Sequence, residues 1–569
     1  MSIPYTEKPW AFLNDYRGKA FSGEWPTLPE MLKITVSRYP QRSCFTIYEP
    51  DRISLNYTEA LQRVEALARW LHHKGIRKGD CLAVTGKNSP EWTVAYLGIL
   101  FAGGVVVPID YQLKTEEIDI LIKTAKAKIL FVDEEKYERY VQSPGELTEV
   151  ISLKKGIGTY IYNLDGPEAD IEQAAETDIA AILFTSGTMG NPKGVTLTHR
   201  NIVSDCYLAQ GTPLLIYHTD VFYAILPLHH SYTMLAVFIE TIAVGAELVF
   251  GKRMVTSQML REMKEGNVTM LLGVPMLFNK VLTGVLRGIK EKGPIVYGLI
   301  SFLMGISGLI KKLFKVNPGK KMFGFILAKA SLKSNRVCIC GGGPLAPRVF
   351  KKYNQLGIDF VQGYGLTETS PIITINPIEH YKETSVGRPC PRVDMKILNA
   401  DERGVGEIIV KGPMVMKGYY NMPAETAETF TADGYLKTGD LGYMDSENYL
   451  YITGRAKNMI VTEGGKNVYP EEIENEFQLF DEIDQILIRA FVLDKKTKSE
   501  TIEALVFPNP EFKDENGKTL SKEEMKDRIN KIIIEVNQRL LPYQRIERTT
   551  ILDSPLEMTT TKKIKRRQL

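Results

Sequence analysis

Thr185 to Gly194 reads TSGTMGNPKG, a stretch whose small residues, hydroxyls and single lysine are the makings of an anion site. Gly187 and Gly190 let the backbone come close to a ligand, Thr185, Ser186 and Thr188 can donate hydroxyl hydrogen bonds, and Lys193 brings a positive charge. A polyphosphate is the ligand such a loop suits. It is not a P-loop, which needs Gly, four residues, then Gly-Lys and a Ser or Thr. Here Pro192 precedes Lys193 and Gly194 follows it, so the hydroxyl that would hold magnesium is missing. Taken alone, a Gly/Ser/Thr-rich stretch of this kind is more often an ordinary turn. Other chemistry-bearing types are sparse: His229 and His230 stand in tandem within LPLHHSYTM, a spacing that seldom converges on one ion, and nothing there reads as a metal site. The six cysteines include one close pair, Cys338 and Cys340, whose gap suits neither a disulfide framework nor a CxxC metal pair, so they read as small buried thiols in a reducing cytoplasm.

The loop has company. QGYGLTETSP at Gln362 to Pro371, YLKTGDLGYMD at Tyr435 to Asp445, ITGRAKNMIVTEGGKNVYPEEIE at Ile452 to Glu474 and TTTKKIKRR at Thr559 to Arg567 follow it in order. With these motifs the chain resembles, over nearly its full length, the adenylate-forming superfamily of acyl-CoA ligases, peptide-synthetase adenylation domains and firefly luciferase. TEGGKNVYPEEIE, GGGPL and the segment before residue 333 make it most similar to long-chain fatty acyl-CoA ligases.

The resemblance implies ATP, Mg²⁺ and coenzyme A as ligands, a fatty acid as substrate, and acyl-CoA, AMP and pyrophosphate as products. Aromatic or alicyclic acids, and a separate carrier-protein thiol, are the alternatives it leaves open. A carboxylate is a poor electrophile, so it must first be joined to AMP, and two anions then have to meet; a cation and a lysine offset the repulsion. By resemblance, Lys193 and the loop grip the β- and γ-phosphates, Thr367 contacts phosphate, and Glu368 is the magnesium ligand. Tyr364 stacks on adenine within Gln362, Gly363 and Gly365, with Gly341, Gly342 and Gly343 nearby. Asp440 accepts from both ribose hydroxyls, as a carboxylate with several lone pairs can, and Arg455 holds the ribose and phosphate edge. Lys563 reaches the α-phosphate and carboxylate, with Lys562 the neighbouring candidate. His230 sits at the mouth of the acyl pocket. For the second half-reaction the C-terminal domain rotates about Lys457, and Gly464 and Gly465 line the pantetheine channel.

The elements that must position these residues follow a recognisable grammar. From residue 30 to about 250, CLAVTG, SPEWTVAYLGILFAGG, VVVPID, a helical pattern near 115 to 126 and AKILFVD alternate strand with helix, which predicts a parallel sheet with crossover helices. VTLTHRNIVSDCYLA, after the anion loop, reads as helical. After residue 385 shorter strands and many glycines predict a small antiparallel or barrel-like unit. From 456 onward PEEIENEF, QILIRAFVLD, TIEALVFP and a helix near 521 to 540 make an α+β segment. The fold class expected is α/β: an N-terminal domain over 1–455, of two α/β subdomains and the small β unit, followed by a small mobile α+β domain over 456–569.

A chain of 569 residues exceeds what one core holds, and its 44% hydrophobic and 24% charged residues exclude a disordered or fibrous protein. A formal charge of +3 gives no reason to invoke nucleic acid. The N-terminal stretch has no basic start followed by an apolar run, so a cytoplasmic location is expected. One segment stands apart. Between Leu286 and Lys333 the apolar run VYGLISFLMGISGLI is flanked by Lys290, Lys292, Lys311, Lys312 and Lys315. It falls short of the roughly 18 to 20 residues of a bilayer crossing. Two readings fit it: a helix lying in a membrane interface with lysines toward the headgroups, or a buried helix with a basic collar. Its glycines and serine weaken both as helices.

Overall fold

Strand and helix alternate as the apolar runs dictate, and they assemble into two sheets with parallel centres. The computed structural model describes residues 8–185, 192–212, 214, 216–462, 466–494, 499–514, 517–559 and 564–566. The first sheet orders seven strands: Gly418–Tyr419, Lys193–Thr198, Ile179–Thr185, Val105–Ile109, Cys81–Thr85, Ile129–Val132 and Glu149–Ser152. The last five run parallel. Cys81–Thr85, Val105–Ile109 and Ile129–Val132 are buried throughout, the reason they read as unbroken apolar runs. The crossover helix Pro90–Phe101 starts at the N-cap Ser89, whose side chain accepts from the Trp92 amide, and is buried on every side.

The second sheet has nine strands, in the order Arg388–Pro389, Ile372–Ile375, Asp359–Gly365, Val337–Cys340, Met270–Gly273, Val221–Ala224, Glu247–Phe250, Ser43–Ile47 and Ile53–Asn56. Its six central strands are parallel, and antiparallel strands finish both edges. The glycine-rich stretch after 385 forms a four-stranded antiparallel sheet of Asp394–Leu398, Gly406–Lys411, Leu436–Met444 and Leu450–Arg455. It is open rather than a barrel, since its edge strands Asp394–Leu398 and Leu450–Arg455 do not pair with each other. Beyond it, a hairpin of Ile460–Val461 and Asn467–Val468 and a three-stranded sheet of Ile483–Asp494, Ser499–Pro508 and Arg548–Ile551 pack with the helix Lys522–Asn537 around their own core, which includes Ile473, Phe477, Ile488 and Ile529.

Two expectations need correction. VTLT after the anion loop is a strand, Lys193–Thr198, and the helix begins only at His199, with Thr198 and Asn201 forming its capping box. Alternating Val and Thr favour the pleated chain, and Thr198 supplies the cap. The loop therefore closes an antiparallel hairpin and has no helix dipole at its end. The apolar run near 300 belongs to a helix that is longer than the run, Pro294–Phe314, 21 residues. Its glycines do not interrupt it, and Lys311, read as part of a headgroup collar, is buried.

Candidate active site

The C-terminal ends of the parallel strands in both sheets open on one cavity of about 1440 Å³. Strand ends in an open α/β sheet present loops and unsatisfied backbone there, which makes it the natural ligand site. The first sheet contributes Pro108 to Asp110 and Leu183 to Thr185, the second Leu272, Val274, Ile339 to Gly342 and Gly363 to Glu368, and the C-terminal region Met558, Thr559 and Lys565.

Thr185 and Lys193 lie directly opposite each other in the hairpin, and the Thr185 hydroxyl donates to the Lys193 carbonyl at 3.4 Å. The Lys193 ammonium sits 4.6 Å from the centre of the Tyr419 ring, a cation–π contact. The Tyr419 hydroxyl in turn donates to Glu368 Oε1 at 3.0 Å. Burial first, then the Glu368 charge, pushes the Tyr419 phenol up, so it stays a donor. Tyr419 thus joins the lysine and carboxylate sides of the site. Glu368 lies in the short 3₁₀ turn Thr367–Thr369, tied by the Leu366 amide donating to Thr369 Oγ1 at 3.0 Å. The Thr367 and Ser231 hydroxyls are 3.1 Å apart. Oxygen donors side by side, the Glu368 carboxylate and the Thr367 hydroxyl, fit a hard cation such as Mg²⁺. The turn follows Gly365, where a Cβ would stand 1.5 Å from the Pro371 carbonyl oxygen; no other residue fits.

Asp440 and Arg455 are register partners on adjacent strands, and Arg455 Nε donates to Asp440 Oδ1 at 2.7 Å. The Tyr364 hydroxyl donates to the other carboxylate oxygen, also at 2.7 Å. Burial would lower the Arg455 guanidinium, but Asp440 leads the charges that raise it. Tyr364 and Arg455 line the cavity while Asp440 stands behind them, so Asp440 orients two walls at once.

His230 lines the cavity beside His229. Burial pushes His229 down to about 3, so its ring is neutral. Neither His229 nitrogen has a hydrogen-bond partner among the described residues, and Nε2 lies 3.6 Å from Asp110 Oδ1. The donor atoms of Asp110, His229 and His230 fall within 4.8 Å of one another, a convergence the tandem spacing did not foretell. Ala209, Leu214, Ile216, Phe222, Ala236 and Leu272 make an apolar wall. Glu240 lines the same cavity: Cys206 donates its thiol proton to Oε2 at 2.7 Å, and burial pushes the carboxyl up to about 8.

The structure therefore brings Thr185, Lys193, His230, Gly341, Gly342, Gly363, Tyr364, Gly365, Thr367, Glu368, Arg455 and Lys457 to one cavity. Gly343, Gln362 and Asp440 are not on its wall; Gln362 is buried in its strand. Ser186, Gly187, Thr188, Gly190, Gly464, Gly465, Lys562 and Lys563 lie outside the described residues. The residues that bracket Lys562 and Lys563 do line the cavity: Met558, Thr559 and Lys565, with Met558 bridged to Ile564. Arg566 holds this tail, donating to the Ile488 carbonyl at 3.0 Å and to Glu474 at 2.5 Å. Tyr419, Asp110, Ser231 and Glu240 were not anticipated. A tyrosine in MKGYYNMP carries no local signal; only its pairing with Val195 places it.

Residues 32–420 match the AMP-binding enzyme family. A long-chain-fatty-acid–CoA ligase of Bacillus subtilis is 28% identical over 84% of this chain and 85% of its own length. A feruloyl-CoA synthase of an Amycolatopsis species is 29% identical over 74% of this chain and 78% of its own. Among solved structures, the anthranilate CoA ligase AuaEII in complex with anthranoyl-AMP superposes with a TM-score of 0.77, at 18% identity, over 95% of this chain and 96% of that one.

Proposed function

We propose that this chain, which belongs to the AMP-binding enzyme family, joins a fatty acid to AMP and passes the acyl group to coenzyme A, releasing AMP and pyrophosphate. The observation that carries the reading is the single cavity in which Lys193, Thr367, Glu368 and Arg455 share walls with the apolar set of Ala209, Leu214, Ile216, Phe222, Ala236 and Leu272. The polar side suits a nucleotide triphosphate and the apolar side an acyl chain.

In this reading Lys193 and Thr185 hold the outer phosphates, and the ammonium keeps its place against Tyr419. A bound Mg²⁺ would be held by Glu368 with the Thr367 hydroxyl, and would supply neutralisation of phosphate charge. Tyr364 and Arg455, braced by Asp440, hold the nucleoside. The neutral His229 ring backs His230 at the place of the carboxylate. Lys563 completes adenylation from the tail that Arg566 anchors. Residues 456–569 then turn as a unit about Lys457, opening a path for the thiol.

A long chain is the substrate favoured by the apolar wall and by the Bacillus relative's name; each methylene buried contributes about 0.8 kcal/mol. The test incubates the protein with Mg-ATP, coenzyme A and acids from acetate through palmitate, plus benzoate and ferulate, and reads AMP and thioester by mass spectrometry. Thioester peaking at long chains supports the reading. A peak at the aromatic acids moves it to an aromatic acid ligase, AMP without thioester points to another acceptor, and ADP overturns it.

A further inference from the structure

The helix Pro294–Phe314 presents Ile295, Leu299, Phe302, Ile306, Leu309 and Leu313 at alternating steps of four and three, one continuous stripe, and all six are exposed. Eleven of the nineteen exposed large apolar side chains among the described residues lie between Ile295 and Phe325. Surface hydrophobes scattered singly need no explanation, but a patch this concentrated does.

The opposite face is fixed to the protein. Met304, Ser307 and Lys311 are its buried residues, packed toward the helix Pro347–Gln355. Lys311 Nζ donates to Asn354 Oδ1 and to Asp359 Oδ1, each at 2.6 Å. At about 1.5 Å per residue the helix is long enough to span a bilayer, but leaving its seat would strip a buried ammonium of both partners. It is built to lie flat.

The charge around it is one-sided. Residues 286–333 hold ten basic residues and one acidic residue, Glu291, in a chain whose net charge is only +3. Lys290, Lys292, Lys312, Lys315, Lys321 and Lys329 are exposed around the stripe. Two copies pressed face to face would bring these like charges together, whereas an anionic lipid surface complements them and accepts the apolar stripe.

We infer that residues 286–333 dock the enzyme on the surface of an anionic lipid bilayer, the stripe in the acyl boundary and the lysines at the headgroups. Val274 lines the cavity, and the next residue, Pro275, opens the helix that leads to the docking segment. If the substrate is a fatty acid, as proposed above, docking brings the cavity to the phase where that acid partitions; the docking itself does not rest on that reading.

The test sediments the full chain with phosphatidylcholine vesicles, with and without phosphatidylglycerol. The wild type should pellet with the anionic vesicles, and added salt should release it. Phe302→Asp with Leu309→Asp should remain in the supernatant, and Lys312→Glu with Lys321→Glu and Lys329→Glu should bind on the order of a hundredfold more weakly. All these side chains are exposed, so AMP formation with a short water-soluble acid should match the wild type in every variant, which confirms folding separately from docking. A wild type that stays in solution with both vesicle types overturns the inference. So does pelleting that survives the aspartates, or a dimer in solution that the aspartates dissolve while vesicle binding is absent.

Discussion

Lys193 is held by its register partner Thr185 and by the face of Tyr419, so its charge is placed before a ligand arrives. Losing one preorganised donor to developing charge typically costs about 10²–10³ in rate. Lys193→Ala should slow AMP formation by that order while sparing transfer from a preformed acyl-adenylate to coenzyme A; equal loss in both steps would sink the role. Glu240 offers a second residue-scale prediction. Its carboxyl rises from the usual 4.5 to about 8 in the folded protein. The folded state thus binds the extra proton, so the penalty is absent below pH 4.5, grows as pH rises, and is complete above about 8. Glu240→Gln, which mimics the protonated acid, should raise the melting temperature more at the alkaline end of this window than at the acid end. A pH-independent difference in melting temperature would refute this.

At the scale of elements, the decisive device is the long helix Pro294–Phe314, seated by one buried lysine among apolar neighbours. Burial lowers the Lys311 ammonium and Asp359 opposes that, the signature of a charge kept by its partner. Lys311→Met removes the charge partner of Asp359, which keeps the Asn317 amide at 3.0 Å, and should destabilise the protein by about 2 kcal/mol, read as a shift in the urea midpoint. No shift would mean the helix is held by packing alone. The hairpin of Ile179–Thr185 and Lys193–Thr198 makes a complementary point. Its loop was expected to lead into a helix, as phosphate loops often do, but the strand Lys193–Thr198 intervenes. The strand takes the place of the helix N-terminus that phosphate loops often use, and Lys193 brings a side-chain charge to the cavity beside it.

At the scale of the whole molecule, the C-terminal region meets the rest through Gln478. Its Nε2 donates to the Pro344 carbonyl at 2.9 Å, and its Oε1 accepts from the Ala346 amide at 2.7 Å. Arg287 approaches Asp481 to 3.6 Å at the same seam. In this arrangement Met558, Thr559 and Lys565 line the cavity, the placement that the proposed adenylation step would use. Asn279 Nδ2 also donates to Gln478 Oε1, at 3.4 Å, and each such hydrogen bond contributes roughly 1 kcal/mol to holding the arrangement. Gln478→Ala should therefore lower the rate of AMP formation by about tenfold and leave transfer from a preformed adenylate unchanged or faster. Slower transfer with intact adenylation would show that Gln478 serves the other arrangement.

Much of this architecture was legible in the chain. The strand and helix runs from Cys81 to Val132 and the segments from Pro470 onward fold where their apolar patterns place them, because a backbone in a buried parallel sheet or amphipathic helix constrains its own neighbours. The motif residues Lys193, Thr367, Glu368 and Arg455 could be singled out because each sits in a short contiguous string. What no string contains is who meets whom. Tyr419 reaches Glu368 because its strand pairs with Val195. Asp440 stands behind Tyr364 and Arg455 because three strands from different parts of the chain bring them together. Lys311 is buried although its neighbour Lys312 is exposed, because the rotation of about 100° between adjacent helix residues turns only the first toward Asp359. Local propensity acts over a few residues, whereas these contacts depend on sheet order and helix seating, which only the packed chain settles.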